Sequence, residues 1–453
     1  MSSKETKAYP GFVRTFLRLS VLIGTQSLIS SLVNTVDTLM IGQLGDLELS
    51  AVGLVNQVYF IVTLITSGTI SGATIFLAQF YGKQNWKGMR QASALASIVV
   101  IGVTALFALI GILFPDVLLR FFSQEDELIQ EAARYFRVVA WSYIQAGLSL
   151  VMAMILRNVG KPVFPLAVTC IAIVTNVVGN YILIFGHFGV PAMGVVGAAI
   201  ATVIARCAEF AILAVVLYTR CRQYAPRPAD FIHIPRPLIR QYVKIALPVT
   251  VSEACWSTGI AFYSVVYYHM GYVYGAAVNI VKVVEQMLTC AFKGTGQAAA
   301  IILGNLLGQG REETAVFCSS RMARYNVIAG ACVGVLLIAG AGPFLSLYAV
   351  SDTVKDIASL MMVYLACIMP VKGYTWMHIT STLRAGGDTK ACMIIDNVTV
   401  WCFSLPLAFL TGYILNLNIE IVYLCVVLDD VVKAILVHQR VRSRKWIQNL
   451  AGT

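Results

Sequence analysis

The chain has 453 residues, of which 58% are hydrophobic and only 12% are charged, whereas roughly 25% of the residues in a typical soluble domain are charged. This composition excludes an ordinary soluble domain and predicts a membrane protein that crosses the bilayer many times. In a soluble chain, the net charge of +11 would point to nucleic acid as a partner, so the positions of the charges decide what it means.

Twelve apolar segments follow one another along the chain, each bounded by glycine, proline or clustered charges. A helix of about 20 residues is long enough to cross the hydrocarbon core of a bilayer. The segments are predicted at residues 14–42, 47–80, 90–114, 130–155, 163–186, 194–219, 240–268, 273–306, 314–340, 355–382, 391–412 and 420–438. We therefore expect an all-α membrane protein with twelve transmembrane helices.

Basic residues lie almost entirely on one side of the predicted membrane. The two tails and the even-numbered connections hold 22 lysines and arginines, whereas the odd-numbered connections hold only Arg120 and Lys355. Because basic connections stay in the cytoplasm, this asymmetry predicts an inner (plasma) membrane protein with both termini in the cytoplasm. The positive charge then serves topology and attraction to membrane lipid, and no nucleic-acid partner is expected.

The two halves of the sequence resemble each other at a spacing near 226 residues, so that Gly45, for example, recurs as Gly271. Each half then contains six helices and has the same orientation in the membrane. We expect a pseudo-twofold axis along the membrane normal, with a substrate site between the halves near the midplane. The predicted domains are an N-terminal lobe (1–219), a basic cytoplasmic linker (220–239) and a C-terminal lobe (240–453) that ends in a short basic tail.

Asp37 lies inside the first apolar segment, where a carboxylate is costly. An acidic side chain at mid-membrane costs about 2.5 kcal/mol or more, so such residues commonly face a water-filled cavity and bind something. A packing role, in which the carboxylate is hydrogen-bonded to a neighbouring Ser or Asn, is the alternative. We take Asp37 as the chemical centre of the chain.

Several motifs point to one family when they are taken in order. The first half reads VDTLMIGQLG, SGATIFLAQFYGK, TNVVGNYILIFG and GAAIATVIAR, and the second half reads LPVTVSEACWSTG, GAAVNI, ILGNLLGQG and LRAGGDTK. From about residue 14 to residue 440, the chain resembles the prokaryotic type of the multidrug and toxic compound extrusion (MATE) family. The resemblance implies a two-lobed V that exports organic, often cationic, compounds in exchange for inward H⁺ or Na⁺.

The resemblance also implies a cation site in the N-terminal lobe, formed by Asp37, Asn176, Asn180 and Thr202. Asn180 stands where the family motif usually has Asp, so one carboxylate remains instead of two. One carboxylate with amide and hydroxyl oxygens can neutralise a single Na⁺, or Asp37 can take up a proton, so the coupling ion stays open. Asn176 and Asn180 share one helix face and could equally serve as hydrogen bonds between helices.

The C-terminal lobe supplies the candidates for the substrate cavity: Glu253, Tyr263, Lys282, Glu285 and Asp396. Tyr263 is the repeat partner of Asp37, so the two lobes are chemically unequal at this position. Lys282 and Glu285 have the spacing of a pair that neutralises itself on one helix face. Glu253 and Asp396 have no basic neighbour close in sequence, which favours a counter-charge to a cationic substrate or a second cation site.

Other polar residues at membrane depth have structural interpretations. Arg206 and Glu209 have the spacing of an ion pair within one helix. His378 is expected to be a satisfied interior histidine rather than a proton relay. Asp429, Asp430 and Lys433 lie towards the cytoplasmic end of the last segment, where a solvated or gate-lining role is expected.

Other functions compete with an exporter. A lipid-linked precursor flippase of the same superfamily needs a strongly basic cavity, which the mixed charges disfavour. HExxH and GxxxxGK[ST] motifs are missing, so neither an intramembrane metalloprotease nor an ATP-hydrolysing pump is expected, and we predict no enzyme, no catalytic residues and no cofactor. A passive channel stays open. Small organic compounds and membrane lipid are the expected partners of a monomer.

Overall fold

The computed structural model describes residues 11–123, 125–346 and 350–448, and these residues form helices and turns without any strand. The first nine helices are α1 (Phe12–Gly42), α2 (Asp46–Gly82), α3 (Trp86–Leu113), α4 (Pro115–Leu119), α5 (Asp126–Val139), α6 (Ser142–Asn158), α7 (Val163–Phe185), α8 (Gly194–Arg220) and α9 (Pro228–Ile232). The prediction of an all-α protein is confirmed.

Eight further helices follow in the second half of the chain. They are α10 (Arg236–Met270), α11 (Tyr272–Gly308), α12 (Glu312–Leu345), α13 (Asp352–Met377), α14 (Thr389–Val398), α15 (Leu405–Phe409), α16 (Ile419–Val427) and α17 (Asp429–Arg442). Three π-helical turns, at His378–Leu383, Thr399–Ser404 and Leu410–Ile414, continue α13, α14 and α15 respectively. Wider turns of this kind are rare and occur frequently at functional sites.

Most of the predicted segments are long apolar helices in the structure. Among the described residues, ten helices are long and apolar enough to span a membrane, and α5 with α6 forms an eleventh span that is bent by 51°. The segment predicted at 420–438 consists of α16 and α17, and Asp429 and Asp430 stand in the first turn of α17. These acidic residues lower the apolar character of the last segment.

The sequence repeat has a counterpart in the backbone. Gly45 precedes α2 with a φ of 151°, and its repeat partner Gly271 precedes α11 with a φ of 141°. An L-residue rarely adopts either value, so both turns favour glycine. The two long helices that follow, α2 and α11, have the same length of 37 residues.

The described chain divides into two compact units, and the divisions fall inside helices. The N-terminal unit comprises residues 25–246, and the C-terminal unit comprises the described residues up to 24 and from 247 onward. The start of α1 therefore packs in the C-terminal unit, where Phe16 and Ile23 belong to a core that includes Leu303 of α11. The start of α10 packs in the N-terminal unit. Each unit thus takes one helical segment from the other half of the sequence.

Small residues allow these exchanged segments to approach closely. In the C-terminal unit, a Cβ on Gly294 of α11 would lie 2.7 Å from the Cα of Gly24, so the α1 and α11 backbones touch. In the N-terminal unit, a Cβ on Gly72 would lie 2.8 Å from the Cα of Ala246. Tyr242 on α10 also donates a hydrogen bond of 3.0 Å to the carbonyl oxygen of Thr69 on α2.

The segment predicted as a linker, 220–239, packs in the N-terminal unit. Within it, Asp230 is 6% exposed and forms an ion pair with Arg90 of α3, in which the two side chains lie 3.0 Å apart. Gln91 donates a 2.7 Å hydrogen bond to the carbonyl oxygen of His233. This segment is therefore held against α3 by buried polar contacts.

Candidate functional site

The structure brings Asp37 of α1 together with Asn180 of α7. The amide nitrogen of Asn180 donates a hydrogen bond to one carboxylate oxygen of Asp37. Asn180 is completely buried, whereas Asp37 is partly exposed. The carboxylate makes no ion pair with any Lys or Arg that the structure describes, so its direct partner is a neutral amide.

The other two predicted cation-site residues form a second contact on the same face of α7. Asn176 lies one turn before Asn180, and its amide nitrogen donates to the hydroxyl of Thr202 on α8 at 3.4 Å. The Thr202 hydroxyl in turn donates to the carbonyl oxygen of Ala198 at 3.0 Å. All four predicted residues thus lie in one polar cluster on α1, α7 and α8.

Small residues between α7 and α8 make this cluster possible. Gly186 ends α7 in the left-handed conformation, with a φ of 76°, and begins the turn towards α8. A Cβ on Gly197 of α8 would lie 2.6 Å from the carbonyl carbon of Leu183, and one on Gly179 would lie 3.0 Å from the Cβ of Ala201. The backbones therefore approach closely enough for short side chains to meet.

One buried oxygen of the cluster has no hydrogen-bond partner among the described residues. It is the side-chain oxygen of Asn180, whose amide nitrogen already contacts Asp37. Buried polar atoms are nearly always hydrogen-bonded, and an exception frequently marks a place where an ion or water binds. Together with the Asp37 carboxylate and the Thr202 hydroxyl, this atom belongs to the oxygen set that hard cations prefer.

Tyr135 of α5 is a member of this region that the sequence reasoning missed. It is 4% exposed and lies beside Thr202 and Asp37. It stands on the apolar face of a strongly amphipathic segment, where a tyrosine is indistinguishable from a core aromatic residue by sequence. The predicted pair of Arg206 and Glu209 is confirmed at 2.8 Å.

The acidic candidates of the C-terminal unit are all paired with basic residues. Arg384 donates to Glu253 at 2.9 Å, and Lys433 lies 3.5 Å from Asp396. The partners come from distant parts of the sequence, so the expectation that Glu253 and Asp396 are unneutralised is wrong. The basic partner of each pair is buried, and a buried cation needs a counter-charge.

The predicted pairing of Lys282 with Glu285 is also wrong. Glu285 forms its ion pair with Lys372 of α13, which lies 3.6 Å from Asp430 as well. Lys282 instead donates a 2.7 Å hydrogen bond to the hydroxyl of Ser264. Glu285 is therefore paired with a lysine of the neighbouring helix α13 and not with the lysine one turn earlier on its own helix.

Two further predictions are corrected by burial. Lys433 is 6% exposed and forms a 3.0 Å ion pair with Asp429, so Lys433 is not solvated, and a gate-lining role stays a prediction. Tyr263 is 5% exposed, belongs to the apolar core of the C-terminal unit and donates to the hydroxyl of Ser404 at 2.8 Å. In this conformation Tyr263 therefore lies in the core and not at a cavity wall.

Comparison with known proteins identifies the family. The MatE family model matches the chain twice, over residues 23–182 and again over residues 248–410. The chain belongs to the MatE family. Because the same model describes both halves, the family match also agrees with the internal repeat.

Curated relatives and a solved structure extend over nearly the whole MatE chain. The chain is 27% identical over 418 residues to the uncharacterized transporter YisQ of Bacillus subtilis. The matched region covers 91% of this chain and 90% of the relative. The chain is 24% identical to the probable multidrug resistance protein NorM of Thermotoga maritima, over 96% and 94% of the two chains. The structure of a mutant of the Vibrio cholerae MATE transporter VcmN superposes with a TM-score of 0.85 at 19% identity, over 98% and 99%.

Membership of the MatE family makes this chain a membrane transporter and not an enzyme. The fold class predicted from the sequence, an all-α membrane protein of the MATE type, is therefore confirmed.

Proposed function

We propose that this MatE protein is a secondary active multidrug exporter that moves organic, cationic compounds out of the cell in exchange for inward H⁺ or Na⁺ by alternating access. The observation that carries the proposal is the contact between Asp37 and Asn180, a membrane-depth carboxylate with a neutral partner. The name of its Thermotoga maritima relative, a probable multidrug resistance protein, supports the substrate class.

The Asp37 cluster suits either coupling ion. When Asp37 is ionised, it accepts from the Asn180 amide nitrogen, and the unpartnered Asn180 oxygen is available to a Na⁺ ion. When Asp37 is protonated, its carboxyl O–H can donate a hydrogen bond, and an amide oxygen such as that of Asn180 can accept it. Both events neutralise the one carboxylate of the cluster, and each changes its hydrogen bonding to α7.

Ion binding drives transport only if the ion binds two conformations unequally. The helix that contains Asp37 offers a route for such an effect, because α1 belongs to the C-terminal unit up to Gly24 and to the N-terminal unit from Thr25. A change in the charge state of Asp37 therefore acts on a helix that both units share.

The charge of the C-terminal unit supports a cationic substrate. Five acidic groups and three basic groups meet in linked ion pairs of this unit, which are Glu253, Glu285, Asp396, Asp429 and Asp430 with Lys372, Arg384 and Lys433. Acidic groups are in excess, and an excess of negative charge attracts cations. We place the protein in the inner (plasma) membrane, with both termini in the cytoplasm, as a monomer.

The deciding experiment is reconstitution of the purified protein into liposomes, with efflux of a cationic dye measured under a proton gradient and a sodium gradient imposed separately. We expect one gradient to drive efflux in the wild type and Asp37→Asn to reduce this efflux to the background of empty liposomes. Asp116→Asn is the matched control, because Asp116 is a partly exposed carboxylate whose ion-pair partner among the described residues is Arg137.

Three outcomes would contradict the proposal. Ion-driven efflux by Asp37→Asn at the wild-type rate would remove Asp37 from the mechanism. Dye flux that needs neither gradient nor exchange would identify a passive channel. Transport of an anionic lipid-linked precursor without any transport of cationic dyes would favour a flippase.

A further inference from the structure

A large groove in the C-terminal unit is lined by none of the residues of the Asp37 cluster and plays no part in the proposed exchange. Its volume is about 660 Å³, within the range of ligand sites in proteins. It is formed by α12, the end of α13 with the following π-helical turn, and the end of α17.

The rim of the groove is cationic. Arg324 of α12 and Arg442 of α17 line it, are exposed, and form no ion pair with any residue that the structure describes. A third lining residue, Arg444, is neutralised by Glu313 at 2.5 Å. Two guanidinium groups are therefore available to an anion, and guanidinium is the side chain best suited to phosphate.

The floor of the groove is a hydrogen-bonded aromatic cluster formed by the end of α13, the π-helical turn that follows it, and α17. Tyr374 and His438 are joined by a hydrogen bond of 2.9 Å, and the ring of Tyr374 stands edge-on to that of His378 at 4.5 Å. His378 is 3% exposed, as expected for an interior histidine, and its Nδ1 lies 3.0 Å from the hydroxyl of Thr382. Tyr374 and His438 thus present a hydrogen-bonded polar surface to the groove.

The outer wall of the groove is apolar and continues along α12. Val327 and Ile328 line the groove, and Ile328 is 59% exposed. Further along α12, Val335 and Leu336 are 67% and 69% exposed. Large apolar side chains that are exposed on a membrane-spanning helix face lipid tails, so the groove opens onto the surface that contacts lipid.

We propose that this groove binds the headgroup of an anionic phospholipid. The phosphate contacts Arg324 and Arg442, the glycerol and polar headgroup lie against Tyr374 and His438, and an acyl chain follows the apolar face of α12 from Ile328. The cationic rim selects negative charge, and the continuous apolar wall selects a lipid over a soluble phosphate compound. The site is independent of the coupling ion and of the exported substrate.

The test measures lipid binding by the full chain, in detergent, by native mass spectrometry with defined lipids. Wild-type protein is expected to retain phosphatidylglycerol at least tenfold more tightly than phosphatidylcholine. The double variant Arg324→Gln/Arg442→Gln is expected to lose this preference. The matched control is Arg236→Gln/Arg240→Gln, which removes two exposed arginines of the N-terminal unit and should bind as the wild type does.

A second variant tests the groove without changing its charge. Ser320 lines the groove and is exposed, so Ser320→Trp fills the space without disturbing a core. It should also weaken phosphatidylglycerol binding at least tenfold, and it decides the question if the double arginine variant does not fold.

The proposal is overturned if either groove variant that folds binds phosphatidylglycerol as the wild type does. It is also overturned if the wild type has no preference for phosphatidylglycerol over phosphatidylcholine. A third contradicting result is that glycerol phosphate, added at the same concentration, displaces the lipid completely, because a soluble phosphate would then be the ligand. None of these measurements depends on transport.

Discussion

The two units of the molecule carry charge at membrane depth in different ways. In the N-terminal unit, the Asp37 carboxylate is bonded to the neutral amide of Asn180. In the C-terminal unit, Glu253, Glu285 and Asp396 are each paired with a basic residue. A carboxylate paired with a permanent cation gains little from binding H⁺ or Na⁺, whereas Asp37, whose direct partner is neutral and whose neighbour Arg206 is already paired with Glu209, gains a counter-charge. The number of acidic residues in a unit therefore does not indicate where the ion binds. The groups that each carboxylate contacts are the better guide.

The largest effect on stability is expected from breaking the ion pair of Arg384 and Glu253 in the C-terminal unit, in which the arginine is buried and the carboxylate is partly exposed. Arg384→Met leaves the Glu253 carboxylate without its partner and should lower the free energy of unfolding by about 3 kcal/mol. Thermal unfolding in detergent measures this change. The double variant Glu253→Gln/Arg384→Met should recover most of the loss. A single variant as stable as the wild type would show that the pair contributes nothing and would weaken the contrast between the units.

The next effect concerns the packing that supports the Asp37 cluster. Gly197→Val places side-chain atoms against the backbone of Leu183 and should destabilise the α7–α8 contact by about 2 kcal/mol. Efflux should fall with stability, because Asn176 then moves away from Thr202. Gly102→Ala on α3 is the matched control: a Cβ there meets nothing within 4 Å, so it should be neutral or slightly stabilising. Equal stability of the two variants would contradict the close approach of α7 and α8.

Asn180→Asp sharpens the comparison by adding a second carboxylate to the N-terminal cluster. Two like charges separated by about 4 Å repel by roughly 1 to 4 kcal/mol, and a bound cation or proton relieves this repulsion. We expect the concentration of coupling ion at half-maximal efflux to fall about tenfold, measured in the proteoliposome assay. An unchanged ion dependence would indicate that the ion does not contact Asn180.

The smallest effect is expected at the edge of the cluster. Thr202→Val keeps the side-chain volume but removes the hydroxyl that accepts from Asn176 at the long distance of 3.4 Å. Because such a bond contributes about 0.5 kcal/mol, half-maximal efflux should shift roughly twofold. Thr219→Val, which removes a hydroxyl from the end of the same helix, is the control. A shift above tenfold would make Thr202 a direct ion ligand.

The sequence predicted the helices well because hydrophobicity and helix-ending residues are local signals. The segment predicted at 163–186 is α7 (Val163–Phe185), and the one predicted at 194–219 is α8 (Gly194–Arg220). The segment predicted at 130–155 is instead two helices with a 51° bend, a feature that hydrophobicity alone does not reveal. Asp37 and Asn180, two residues of the cation site that the family resemblance implied, are in contact, and their role in binding a cation stays a prediction.

Pairing between distant residues could not be predicted from local spacing. Glu253 and Arg384 are 131 positions apart, and Glu285 and Lys372 are 87 positions apart. The spacing rule for one helix face suggested Lys282 as the partner of Glu285, but α13 places Lys372 closer. Tyr135 was missed for the same reason, since only the packing of α5 shows that it lies beside Thr202.

The sequence alone determined the class of the protein, the positions of most of its helices and its twofold internal repeat, because these depend on composition and on residues near one another in the chain. Only the tertiary structure decided which charges are neutralised, how the starts of α1 and α10 are exchanged between the units, and where the basic groove forms. These features depend on which helix faces meet, and that depends on the packing of the whole chain.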